Sequence, residues 1–242
     1  MEMWSQVRAQ LLADGRRIVR DQFLVGLVVY ILVVSFVVRW MLPWLTARFA
    51  AQVQLVAYYP LISGYLVLTS GAVVCGVIGG LLLLETREEG TLNALRVSPM
   101  PMTRLLALET GFVFVVTIPL VILEAVIIDA GLPKVVPLFI ITCAAAAFAP
   151  VVAVGVAALA RDKVEAFAWM KVMGFFALLP VAAWFVPEPW QWGAVIVPPY
   201  PAVKAWWLAN AGDPRWVVWA ALAPVINALA LLGFVYRWKK TT

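Results

Sequence analysis

Six long apolar stretches with few internal charges divide the sequence. They cover residues 23–45, 57–84, 105–128, 135–160, 166–186 and 216–236. A helix that crosses a bilayer needs about 20 apolar residues, so each stretch is long enough to form one span. The pattern predicts an all-α integral membrane protein with six transmembrane helices in one domain, residues 1–242, and we number the spans in chain order.

The first 21 residues have a different pattern. Trp4, Val7, Leu11 and Ile18 fall within one narrow arc of a helix, and the arginines of this segment point elsewhere. This favours an N-terminal amphipathic interfacial helix lying on the membrane surface over the alternative of a solvated arm.

Residues 187–214 are apolar but contain too many prolines for one long helix. Pro198, Pro199 and Pro201 interrupt any continuous helical run. We therefore expect short re-entrant helices before the last span, dipping into the outer leaflet and closing the substrate path.

Composition narrows the function classes. The chain is 64% apolar and 13% charged, which excludes an ordinary soluble domain, a disordered chain and a nucleic-acid-binding protein. It contains no histidine, which removes Ser-His-Asp catalysis and His-ligated metals. Cys75 and Cys143 lie in apolar runs and are interpreted as packing residues. We expect no catalytic residue, metal or cofactor in this chain.

The basic residues are sorted by side of the membrane. Thirteen of the 18 Lys and Arg residues fall in the N-terminal arm, the segments after spans 2 and 4, and the C-terminal tail. Basic loops stay inside, so the sequence predicts a multi-pass protein of the cell (plasma) membrane with both termini cytoplasmic. Nine of the twelve Trp lie near the predicted outer boundary, as in an aromatic belt.

Small residues recur every four positions in two spans. They are Ala72, Gly76 and Gly80 in span 2, and Ala149, Ala153 and Ala157 in span 4. Such stripes let helix backbones approach closely. They predict tight packing, either within the chain or across a dimer.

Two ionisable residues are candidates for lining a path. Glu124 lies near the outer end of span 3, where it is either path-lining or interfacial. Arg39 in span 1 lies at a similar depth and could pair with Glu124 or Asp129. No charge falls at mid-membrane, which argues against an ion-driven carrier and fits an apolar or amphipathic substrate.

The cytoplasmic segment 85–104 has an ordered pattern. A charged extension of span 2 is followed by Gly90, which favours a helix end, and by Thr91 as an N-cap. A short helix is predicted over residues 92–97, with Leu92 and Leu95 on one face. An apolar pair on a separately capped helix is typical of a helix that binds in a partner's groove. The alternative is a charged, solvated loop.

This segment resembles the coupling segment of type 2 ATP-binding cassette (ABC) exporter permeases. The matching residues are Glu85, Arg87, Glu88, Gly90, Thr91, Leu92, Leu95, Ser98 and Pro99. Looser matches over residues 162–171 and 196–207 resemble small permeases that export drugs such as fluoroquinolones.

The resemblance implies a permease that works as a homodimer, with a heterodimer left open, and that binds separate ATP-hydrolysing subunits. The chain has no phosphate-binding G-x-x-x-x-G-K-[ST] loop, so ATP and Mg would be bound by the partner subunit. The remaining alternatives are a haem-export-type ABC permease and, from another class, a membrane-embedded enzyme or a scaffold.

Overall fold

The computed structural model describes residues 21–88 and 102–241, with side chains over 21–87 and 106–238. The interfacial helix expected over residues 1–21 lies almost wholly outside the described residues. The helices are α1 (Gln22–Arg48), α2 (Tyr59–Tyr65), α3 (Gly71–Glu88), α4 (Met102–Ile128), α5 (Val135–Ala146), α6 (Phe148–Leu159), α7 (Lys163–Ala177), α8 (Leu179–Trp184), α9 (Glu188–Gln191), α10 (Tyr200–Asn210) and α11 (Trp216–Thr241).

The prediction of an all-α membrane protein with six spans is confirmed for the described residues. Six helical segments are long and apolar enough to cross a membrane: Gln22–Arg48, Leu55–Arg87, Leu106–Ile128, Val135–Leu159, Lys163–Trp184 and Trp216–Trp238. Following the predicted orientation, we call the end of the bundle that holds Arg39, Asp129 and residues 188–215 the outer end. The opposite end is the inner end.

Aspartates begin two of the spans at the inner end. The side chain of Asp21 accepts hydrogen bonds from the backbone N–H groups of Phe23 and Leu24, at 2.8 and 3.3 Å. Asp162 accepts one from the N–H of Glu165 at 2.8 Å. These bonds satisfy N–H groups that have no partner within the helix.

Three spans contain a break in regular α-helix. Span 2 has a π-helical turn, Leu66–Ser70, between α2 and α3. Spans 4 and 5 are interrupted at Ala147 and Leu178, shortly before Pro150 and Pro180. Proline lacks an N–H and crowds the preceding turn, which accounts for the breaks in spans 4 and 5. Pro119 and Pro224 lie inside helices without such an interruption.

Spans 2 and 4 form the centre of the bundle. In its most apolar window, 78% of span 2 is buried, compared with 22% for spans 1 and 6. The stripes of small residues explain how closely spans 2 and 4 pack against each other. A Cβ on Gly76 would lie 2.6 Å from the Ala149 carbonyl oxygen, and one on Gly80 would lie 3.0 Å from the Ala153 carbonyl oxygen. The predicted close packing is therefore confirmed, and it occurs within one chain.

Short helices also form between spans 5 and 6, as predicted for residues 187–214. Helices α9 and α10 flank a 3-10 turn, Trp192–Ile196, and α10 is buried over most of its length. The aromatic belt is only partly present. Trp40 and Trp190 are exposed, but Trp206, Trp207 and Trp219 pack inside the outer half of the protein. Trp206 and Trp207 on α10 and Trp219 on α11 all turn their rings inward, so these tryptophans form core rather than belt.

Candidate functional site

The inner end of span 2 is joined by polar contacts to the end of span 4 and the start of span 5. Lys163 Nζ lies 2.7 Å from Glu85 Oε1, and Arg87 Nη1 donates to the Ala160 carbonyl at 3.4 Å. The charged extension of span 2 therefore contacts the connection between spans 4 and 5.

The rest of the predicted coupling segment lies outside the described side chains. Glu88 ends α3, but its side chain is not described. The remaining predicted coupling residues are Gly90, Thr91, Leu92, Leu95, Ser98 and Pro99, which lie wholly outside the described residues. Their assignment to ATPase coupling stays a prediction.

We expect the Glu85–Lys163 pair to have a small effect on stability. Glu85→Lys should destabilise the protein through like-charge repulsion, and adding Lys163→Glu should restore the lost stability. Both side chains are partly exposed, at 22% and 47%, so the coupling free energy should be about 0.2–1 kcal/mol. A double-mutant cycle on the free energy of unfolding in detergent measures it, and a coupling energy of zero would contradict the pairing.

Arg39 binds to the end of span 3 rather than to Glu124. Its Nη1 donates to the Ile127 carbonyl at 2.9 Å and lies 3.4 Å from Asp129 Oδ2. Of the two predicted partners, the structure therefore places Asp129 next to Arg39. The pair borders an outer-end cavity of about 190 Å³ that also touches Tyr59. Whether Arg39 lines a substrate path stays a prediction.

Glu124 is buried where span 3 crosses the π-helical turn of span 2. Its side chain is only 1% exposed. Ser70 Oγ lies 3.4 Å from Oε1, and Oε2 has no hydrogen-bond partner among the described residues. π-helical turns are frequent at functional sites, and an ionisable residue within a span is a functional candidate. Whether Glu124 is path-lining or interfacial stays a prediction.

An apolar cavity of about 100 Å³ lies one helical turn further in from Glu124. It is formed between spans 1, 2 and 3, and its lining residues are Val28, Cys75, Ile78, Gly79, Leu82, Phe112, Val113, Val116 and Leu120. Val116 is 40% exposed, so one edge of the cavity reaches the surface of the bundle. An apolar group could enter there from the bilayer.

A second polar cluster, missed at the level of sequence, joins α9 to α10. Lys204 is 7% exposed, and its Nζ donates to Gln191 Oε1 at 2.6 Å and lies 3.4 Å from Glu188 Oε1. The Tyr200 hydroxyl also donates to Gln191 Oε1, at 3.3 Å. A buried ammonium needs such partners. The available signal was a single lysine inside an apolar, tryptophan-rich stretch.

Charged side chains also organise the turn before span 6. The Arg215 guanidinium donates to both carboxylate oxygens of Asp213, at 2.7–3.1 Å. These hydrogen bonds hold the pKa of the Asp213 carboxyl below its usual range. Arg215 also approaches Glu188, at 3.4 Å, so the turn is held by one arginine between two carboxylates.

Comparison with known proteins assigns the chain to a family. Residues 14–236 match the family described as fluoroquinolones export permease protein Rv2686c-like. Two curated relatives from Mycobacterium tuberculosis, both named fluoroquinolones export permease protein, are MT2760 from strain CDC 1551 and Rv2686c from strain H37Rv. Each is 32% identical over 230 residues, covering 93% of this chain and 90% of the relative. No solved structure gives a significant match.

The family match favours the drug-exporter resemblance over the haem-export alternative, and it makes the chain a transporter rather than an enzyme. The family match covers the first five spans, nearly all of the sixth, and the whole of residues 85–104. The chain belongs to the Rv2686c-like family of fluoroquinolone export permeases.

Proposed function

We propose that this chain is the transmembrane subunit of an ATP-binding cassette exporter that moves an amphipathic drug outward. The observation that carries the proposal is the coupling pattern of residues 85–99 in a chain that belongs to a family of export permeases. The relatives are named for fluoroquinolones, and we extend that substrate class to this protein.

The energy source is proposed to be a separate ATPase subunit that binds ATP and Mg. The chain has no phosphate-binding loop, so hydrolysis by that route requires a partner. In the proposed complex, two permease chains bind two ATPase subunits at the cytoplasmic face of the cell membrane. The excess of basic residues on that face supports cytoplasmic termini.

Force would enter the permease through the segment after span 2. Leu92 and Leu95 would bind in a groove of the ATPase, and the contacts of Glu85 and Arg87 would pass its movement to the ends of spans 4 and 5. An apolar pair in a groove is the usual way for a short helix to bind a partner.

Leu92→Asp tests this proposal. The variant should insert normally but lose ATP-driven fluoroquinolone export by about tenfold or more, because a carboxylate in an apolar groove is strongly unfavourable. Drug stimulation of the ATPase should be lost together with transport. Both are measured in proteoliposomes that contain the permease and its ATPase subunit.

Ala94→Asp is the matched control. It adds the same charge to the predicted helix, away from the face shared by Leu92 and Leu95, and it should keep most of the transport activity. Full export by the Leu92→Asp variant, or equal losses in the two variants, would contradict the proposed groove contact.

A further inference from the structure

Glu124 has weaker hydrogen bonding than a buried carboxylate requires. The neighbouring Ser70 hydroxyl has a single proton, and it already donates to the Leu66 carbonyl, so its contact with Oε1 at 3.4 Å is at most a shared bond. Oε2 has no partner among the described residues. A buried charge is strongly unfavourable unless it is paired, so a cation brought to this group would stabilise its ionised form.

The protein itself does not supply that cation within its described part. Arg39, at the same end of the bundle, is bound to the Ile127 carbonyl and to Asp129. Lys204 is bound to Gln191 and Glu188. No ion pair to Glu124 forms among the described side chains.

The backbone of span 2 leaves room for the carboxylate. Oε2 lies directly over Gly71, so closely that a Cβ at this position would overlap it. Gly71 follows the π-helical turn. The position of the acid therefore depends on a glycine and a local change of helical geometry in the neighbouring span.

The apolar cavity between spans 1, 2 and 3 begins one helical turn further in than this acid, which does not itself line the cavity. Two of the residues that line it are Leu120 and Cys75. Leu120 comes four residues before Glu124 in span 3, and Cys75 comes four residues after Gly71 in span 2. Four residues of helix correspond to about 6 Å along the axis. The near end of the cavity is therefore about 6 Å along the helix axis from the level of Glu124, a distance that a molecule with an amine at one end and an apolar ring at the other can span.

We propose that Glu124 recognises the cationic amine of the transported substrate while an apolar ring of the same molecule lies in the cavity between spans 1, 2 and 3. This deepens the proposed function, on which it rests, by naming the substrate class as amphipathic compounds with a basic amine. The amine donates a hydrogen bond to the Glu124 carboxylate, which moves away from Gly71 to accept it, and the ring enters along the exposed edge of the cavity at Val116.

The test uses three probes that differ only at one nitrogen. Norfloxacin and its N-methyl derivative have a basic piperazine amine, whereas N-acetylnorfloxacin does not. Their binding to the full chain in lipid nanodiscs is followed by the fluorescence anisotropy of the quinolone. ATP-driven export of the same probes is measured with the ATPase subunit present.

We expect Glu124→Gln to weaken binding of the two basic probes by roughly 10- to 100-fold, as for the loss of a charge-assisted hydrogen bond. Binding of the N-acetyl probe should not change. Glutamine has the same size and no charge, so the variant should keep its thermal unfolding midpoint. Gly71→Ala, which displaces the carboxylate without removing it, should cause a smaller loss with the same selectivity.

Glu109→Gln is the matched control, since Glu109 is a second buried acid in the same helix. It should leave the ratio between basic and neutral probes unchanged. Equal effects of Glu124→Gln on all three probes, or no effect on any, would overturn the inference while leaving drug export intact. If the wild-type protein neither binds nor exports any of the probes, the proposed drug export fails together with the inference.

Discussion

Replacing Trp206 with alanine is expected to lower the free energy of unfolding by about 3–5 kcal/mol, the range for truncating a buried aromatic side chain. The Trp206 ring is fully buried, and its Nε1 donates to Ser63 Oγ at 3.1 Å. The ring also packs so closely on span 2 that a Cβ at Gly64 would lie 2.8 Å from it. The substitution therefore leaves a cavity and removes the donor to Ser63.

The measurement is unfolding of the purified protein in detergent, monitored by near-UV circular dichroism. Trp190→Ala is the control, because Trp190 belongs to the same connecting segment but is 78% exposed. Trp206→Phe should give an intermediate loss, since it keeps most of the ring volume but not the N–H. Equal stabilities of Trp206→Ala and Trp190→Ala would contradict the assignment of α10 to the core.

The sequence predicted the six spans because the length of an apolar run is a local property. It did not distinguish the role of Trp206 from that of Trp190. Tryptophan is suited both to the headgroup region and to a packed core, and the choice depends on the neighbours that the fold supplies. For Trp206 those neighbours are Ser63 and Gly64, about 140 residues earlier in the chain.

The surroundings of the buried acid were also beyond sequence analysis. Counting residues placed Glu124 near the outer end of span 3, but not against the π-helical turn of span 2. Leu66–Ser70 contains no proline or glycine that would indicate a break. The pairing of Glu85 with Lys163 likewise depends on the inner end of span 2 lying beside the connection between spans 4 and 5, which charge patterns do not reveal.

The stripes of small residues did indicate from the sequence that two helices pack closely, although only the structure shows that these helices are spans 2 and 4. In a membrane, lipid and leucine are similarly apolar, so association of two spans depends on how closely their surfaces fit. Gly76 and Gly80 allow the backbone of span 2 to contact the Ala149 and Ala153 carbonyls of span 4. The close packing at the centre of the permease therefore depends on glycines, which have no side chain to hold the two backbones apart.

Gly76→Val is accordingly expected to destabilise the folded chain by about 3 kcal/mol or more, at or above the upper end of the usual range for overpacked cores. Its Cβ would lie 2.6 Å from both the Ala149 carbonyl oxygen and Val152 Cβ. One of these atoms belongs to the backbone, so rotation of a side chain cannot relieve the overlap and spans 2 and 4 must separate. The unfolding midpoint in detergent and the yield of monodisperse protein report this loss.

Gly111→Val and Gly233→Val are the matched controls for this substitution. Both glycines lie within spans, and a Cβ at either would have no neighbouring atom within 4 Å. Valine there should leave the stability nearly unchanged, because it adds apolar surface without displacing another helix. If all three variants lost stability equally, the cost would come from valine in a helix, and the close contact of spans 2 and 4 would not hold the bundle together. A loss confined to Gly76→Val would instead show that the spacing of these two backbones determines the stability of the permease.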